Sequence, residues 1–133
     1  MTRYPVKILM AFGCTFEPGG EEFFDWLMHN GYPELGALSH TIQGDIQAKD
    51  WLMDHGFPHL AAIDSAIDKV EKAEDWLMKN HFEVNLAMAK AVNRDEDATD
   101  WLKKNELGVF IMLADKIRKY LDDKYLDYHK IHF

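Results

Sequence analysis

Asp50-Trp51-Leu52-Met53 is one of four near-copies of a single phrase. Asp25-Trp26-Leu27-Met28 precedes it by 25 residues, and Asp75-Trp76-Leu77-Met78 and Asp100-Trp101-Leu102-Lys103 follow at the same interval. All four tryptophans of the chain stand in this register, with no gap between copies. A fixed period of this length marks a supersecondary unit repeated in tandem. Further columns keep the same spacing. Asn30, His55, Asn80 and Asn105 form one, Ala48, Ala73 and Ala98 a second, and Ile42, Ile67, Val92 and Ile117 a third.

Each unit divides into two short helices. Gly56 suits the left-handed conformation that ends a helix, and Pro58 suits the first position of the next. Over 58–68, Leu60, Ile63, Ala66 and Ile67 share one helical face. Over 70–80, Ala73, Trp76 and Leu77 share another. In the preceding copy Gly44-Asp45 stops one helix and offers an N-cap to the next. Helices this short are marginal alone, so the hairpins must stack and bury a continuous seam. The predicted fold is an all-α solenoid of 25-residue helix-turn-helix repeats, a right-handed stack of about five hairpins with distinct ends. It forms one domain over 1–133, with units at about 5–30, 33–55, 58–80 and 83–105. Pro5 to Phe12 reads as the first helix of the leading unit, and Cys14–Gly20 as a longer loop. At the other end, the closing element over about 108–130 is a helix or a hairpin: the register puts a turn near Arg118-Lys119, whereas Phe110, Leu113, Ile117, Leu121 and Tyr128 continue one face across it and favour a single helix.

Composition narrows the function classes. Net charge is −8, against the clustered Lys and Arg that a direct nucleic-acid binder needs and against attraction to anionic lipid. One cysteine, Cys14, excludes an intramolecular disulfide and agrees with a cytoplasmic setting. The apolar run Ile8–Phe12 is shorter than the roughly 7–15 residues of an export signal core. No run is long enough to span a bilayer, so no membrane partner is expected.

The stretch from Gly44 to Gly56 resembles the second helix of an ankyrin repeat, with Gly at the opening turn and Gly at the close. Gly31-Tyr32-Pro33 and Gly56-Phe57-Pro58 are similar to degenerate ankyrin-type repeats with a Trp-Leu pair. The resemblance covers the second helix of each unit. The chain lacks the Thr-Pro-Leu-His opening, and its units are shorter than the usual length of about 33, which leaves no room for a β-hairpin finger. The resemblance implies a non-catalytic protein–protein interaction module that holds its partner on a concave face.

The candidate sites follow from the repeat. Asp25, Asp50, Asp75 and Asp100 form a ladder beside Trp26, Trp51, Trp76 and Trp101. These eight read as structural, each Asp accepting a bond from a neighbouring unit and each Trp filling the space between units. With Leu60, Ile63 and Ile67 inward, the opposite strip of the first helix carries Asp64 and Asp68, with His40, Gln43, Lys90 and Asn93 at matching places. This strip is small, polar and variable between copies, and it is expected to line a concave groove that binds another protein or peptide. A rival reading puts a small-molecule or small-enzyme pocket in that groove, with His40 and Asp64 or Asp68 as an acid–base pair. A third makes the chain an acidic mimic of nucleic acid. The histidines, His132 among them, are scattered without metal-ligand spacing. No phosphate-cradling loop occurs, and Glu21 and Glu22 would repel an anion at Gly19-Gly20. No cofactor, metal or catalytic residue is therefore assigned.

Overall fold

The structure, a computed structural model, describes residues 1–131, so His132 lies outside the described residues. They form the helices α1 (Val6–Cys14), α2 (Glu21–His29), α3 (Pro33–Ile42), α4 (Ile46–Asp54), α5 (Pro58–Ile67), α6 (Glu71–Lys79), α7 (Glu83–Val92), α8 (Glu96–Lys104) and α9 (Gly108–Ile131). The fold is all-α and built of helical hairpins in the 25-residue register. Cys14, expected to open a loop, is instead the last residue of α1.

Both turns of each unit follow one design. After α4, the Phe57 N–H donates to the Leu52 carbonyl at 2.8 Å across Gly56, whose φ is 84°. This is the six-to-one bond of a Schellman close. Tyr32, Phe82 and Leu107 repeat it on Leu27, Leu77 and Leu102. The left-handed position holds Gly31 and Gly56 but His81 and Glu106 in later copies, at φ 65° and 59°. The other turn holds Gly44, Lys69 and Arg94 at its own left-handed position. The Asn30, Asn80 and Asn105 side chains each donate to the tryptophan carbonyl four residues earlier, and His55 Nδ1 stands 2.8 Å from the Trp51 carbonyl. That column therefore closes the outer helix.

The odd-numbered helices pack in a cycle. α1 meets α3, α3 meets α5, α5 meets α7, α7 meets α9, and α9 returns to α1. The stack is thus closed on itself, with α2, α4, α6 and α8 outside it. Leu38, Ile63, Met88 and Leu113 are fully buried in the inner helices, and Leu27, Leu52, Leu77 and Leu102 tie the outer helices down. The closing element is one continuous helix and not a hairpin. The first half of α9 completes the cycle. Beyond it, Tyr120 meets Phe16 edge-to-face, Asp122 pairs with Arg94 at 3.0 Å, and Lys124 Nζ donates to the Gln43 carbonyl at 2.7 Å. These bonds lay α9 across the mouth where the inner helices end. Met1–Pro5 lies at the opposite mouth, where α5 and α7 begin.

Closure overturns several packing expectations. The strip of the first helix does not line an open concave groove, since Gly36, Ser39, Ala61, Leu86, Ala89 and Ala114 are all buried. An inner helix in a cycle is covered by two inner neighbours and by its outer partners, so little of it faces solvent. The Asp ladder is corrected too. Asp25, Asp50, Asp75 and Asp100 are exposed, and among the described residues none of their carboxylates accepts a bond from a neighbouring unit. The tryptophans fill less of the interior than expected. Trp26, Trp76 and Trp101 are exposed and Trp51 is half-buried. The buried residue of the phrase is the leucine that follows each one.

Candidate functional site: grooves between the outer helices

The outer helices pack on inner ones and not on each other. Each gap between them is floored by the inner helix below. Between α4 and α6 the gap is an apolar groove of about 490 Å³, walled by Met53, Ala73 and Trp76 and floored by Ala61, Ala62 and Ser65. Between α6 and α8 lies a second, of about 290 Å³, with Met78, Trp101, Leu86, Ala87, Lys90 and Ala98. Each residue lining the second stands 25 positions after one lining the first. The two are one site built twice by the repeat. Residues predicted for a concave groove thus floor grooves on the convex side.

The first copy shows what the groove accepts. There the floor is Gly36 and His40, and the space above them is filled from within. A Cβ placed on Gly36 would fall 2.8 Å from Met28 Sδ and 3.2 Å from Phe24 Cε2. Phe24 stacks flat on His40 at 3.8 Å, while Glu21 and Asp45 approach the His40 ring at 3.8 and 3.9 Å. In the second copy Lys49 replaces Phe24. Its ammonium turns aside to Asp64 Oδ2 at 3.0 Å and Ser65 Oγ at 2.8 Å, which leaves the groove empty of protein. Burial pushes the Asp64 carboxyl above its ordinary pKa, and the bond and charge of Lys49 oppose the shift only in part. In the third copy Glu74 holds the same position.

The six predicted partner-binding residues are not brought together. His40 lies under Phe24, Asp64 holds Lys49, and Lys90 lines the second open groove. Gln43 Nε2 donates to Ser39 Oγ, and Asn93 bonds the Ile67 carbonyl and Arg118, so both tie elements of the fold together. Asp68 is exposed at the close of α5. His40 meets Glu21 and Asp45 in place of Asp64 or Asp68, which removes the acid–base pair. Sequence reasoning missed the Met53–Trp76 and Met78–Trp101 walls. Their signal was the methionine after each Trp-Leu, an apolar residue beyond what a hairpin core needs.

Among the described residues no group of three His, Cys, Asp or Glu side chains is placed to hold a metal ion, and no helix is long and apolar enough to cross a membrane. Compared with known proteins, the chain matches no family model, no curated protein and no solved structure.

Proposed function

We propose that this protein is a non-catalytic interaction module that grips an apolar-anchored, basic segment of another protein in its outer grooves. The observation that carries this reading is the pair of same-register grooves, walled by Met and Trp and open where Phe24 fills the first copy. Large apolar side chains exposed in a contiguous, repeated pattern are the mark of an interaction surface, and Trp and Met are favoured there. Phe24 is an internal guest, and it indicates that each open groove takes an aromatic or long aliphatic side chain. Asp50, Asp75 and Asp100 stand exposed on the helices that wall the grooves, and net charge is −8. Both favour Lys or Arg flanking the anchors. Packed helices lie about 8–10 Å apart, so neighbouring grooves fit anchors about three residues apart in an extended segment or about six in a helix.

Panning a random peptide library on the full chain tests this. Enriched peptides should carry two bulky apolar residues at one of those spacings, with Lys or Arg beside them. The double variant Lys49→Phe/Ser65→His copies the filled first unit into the second and should abolish their binding without unfolding the protein. Peptides that ignore this variant, or no enrichment at all, would remove the grooves as the binding surface.

A further inference from the structure

The two open grooves are built from the same columns of the repeat, yet their floors differ. Between α4 and α6 the floor carries Ala61 and Ser65, and between α6 and α8 the same columns hold Leu86 and Lys90. Bulk on the floor removes space above it, and the grooves measure about 490 and about 290 Å³ in that order. The filled first copy sets the scale. Phe24 lies over Gly36, where a Cβ alone would stand 3.2 Å from Cε2 of the ring. Ala61 adds that one carbon, which a ring clears by a small shift. Leu86 carries a whole isobutyl group into the same space. A ring held between Met53 and Trp76 stacks on the indole and meets the thioether. The second groove keeps its Met78 and Trp101 walls but has room only for a smaller, aliphatic group.

The rims differ in sign. The first groove carries Lys49 and Lys72 with Asp50, and Asp64 already engages the Lys49 ammonium at 3.0 Å. The second carries Glu83, Asp95 and Asp97 against Lys90. Asp97 stands in the column of Lys72 and Asp95 in that of Val70, so both exchanges make the second rim more negative. Asp95 and Asp97 are exposed, which opens their charge to a cation brought by a partner. The series also ends on both sides. Phe24 fills the gap before the pair. Beyond α8 the columns of Met78 and Lys90 hold Lys103 and Asp115, and among the described residues no further outer helix supplies a wall. A segment with two anchors therefore has two places and cannot slide to a third.

Resting on the outer-groove reading above, we propose that the pair of grooves takes its partner in one register. An aromatic anchor enters between α4 and α6, and an aliphatic anchor with Lys or Arg beside it enters between α6 and α8. The partner is thus a segment whose two anchors are unlike. Placed the other way round, it presses its ring on Leu86 and underfills the larger groove. Its cation then leaves Glu83, Asp95 and Asp97 for the rim that holds Lys72. Specificity is a difference of affinities, and here misfit at the wrong place adds to fit at the right one.

Panning a random peptide library on the wild type and on two floor swaps tests the register. Wild type should enrich one Phe, Tyr or Trp and one Leu, Ile or Val, with Lys or Arg adjacent to the aliphatic residue. Leu86→Ala/Lys90→Ser gives the second groove the first floor and should enrich two aromatic residues at the same spacing. Ala61→Leu/Ser65→Lys gives the first groove the second floor and should enrich two aliphatic ones. Each swap uses residues already present in its columns, and circular dichroism checks that each variant folds. In the best wild-type peptide, exchange of the two anchors should weaken binding at least about tenfold, the scale of a misfit of a methylene or more in an apolar pocket. That exchange decides alone if a swap does not fold. Asp97→Lys, which copies Lys72, should erase the peptide's preference for Lys over Gln beside the aliphatic anchor. Equal binding after the anchors are exchanged, or motifs unchanged by both floor swaps, would overturn the register and leave the grooves as the capture surface. No enrichment, or peptides indifferent to Lys49→Phe/Ser65→His, would remove the groove reading and this inference with it.

Discussion

Gly13 of α1 faces Leu113 of α9 so closely that a Cβ placed on the glycine falls 2.9 Å from Leu113 Cδ2 and 3.0 Å from Lys116 Cδ. Leu113 is fully buried, so it has little room to yield. This contact, with the ion pair of Lys116 and Glu17, closes the cycle between the two ends of the chain. Gly13→Val overpacks the closure and should cost about 1–3 kcal/mol, lowering Tm by several degrees in thermal unfolding. An unchanged Tm would mean that α1 and α9 do not meet this way.

Four left-handed positions carry side chains where other copies carry glycine or close the same kind of turn. Lys69 has φ 62° and Glu106 has φ 59°. An L-residue held there is strained by about 1–2 kcal/mol, which glycine relieves at some cost in chain entropy. Lys69→Gly and Glu106→Gly should each stabilise the fold by up to about 1 kcal/mol in urea unfolding, and the gains should add because the sites are remote. Gly56→Ala, at φ 84°, should shift stability the other way.

The hairpins were legible because a 25-residue period fixes which side chains recur and which helix stops repeat, whereas for α9 the period placed a turn near Arg118-Lys119 that the continuous apolar face opposed. Phe110, Leu113 and Ile117 continue one buried face into α9, as their spacing implied. Closure was not legible in the same way. Periodicity relates each unit to the next, but curvature accumulates from small rotations that no single column encodes. One trace of it stands in the sequence: Gly13 is the empty place in the column of Leu38, Ile63, Met88 and Leu113. Missing closure put the strip of the first helix on a concave surface, when it floors grooves on the outside. The recurring tryptophans misled for a related reason. Recurrence marks a role in every unit, and a groove wall repeats as faithfully as a core residue.

Asp64 gives the fold an acid-side pH dependence. Burial raises its pKa above the ordinary carboxylate value, so the folded state holds the proton more tightly than the unfolded chain. Stability linked to this group is therefore present below the ordinary carboxylate pKa and falls as pH rises through the higher folded value. Asp64→Asn should remove that slope, gaining on the wild type as pH rises from the carboxylate range toward neutral in paired urea titrations. His59 should act in the opposite sense, because burial lowers its pKa below the ordinary histidine value. Wild type should lose stability relative to His59→Val as pH falls below that value.

Within the repeated phrase, the division of labour between Trp76 and Leu77 can be measured directly. Leu77 is fully buried under α6, whereas Trp76 is 37% exposed on a groove wall. Leu77→Ala removes a core side chain and leaves a cavity, a change that costs about 2–5 kcal/mol. Trp76→Ala removes a surface wall stacked on Phe82 at 5.7 Å. That pair contributes about 0.5–1.5 kcal/mol beyond its burial, so its loss should be clearly smaller than that of Leu77. Asp75→Asn, one residue before, should leave stability within about 0.5 kcal/mol, since the carboxylate is exposed. For binding of the selected basic peptides the order reverses. Trp76→Ala should weaken them most, Asp75→Asn should weaken them through a slower salt-sensitive association, and Leu77→Ala should act only as far as it unfolds the chain. If Trp76→Ala matched Leu77→Ala in stability and spared the peptides, the tryptophan would be a core residue and the groove would lose its wall.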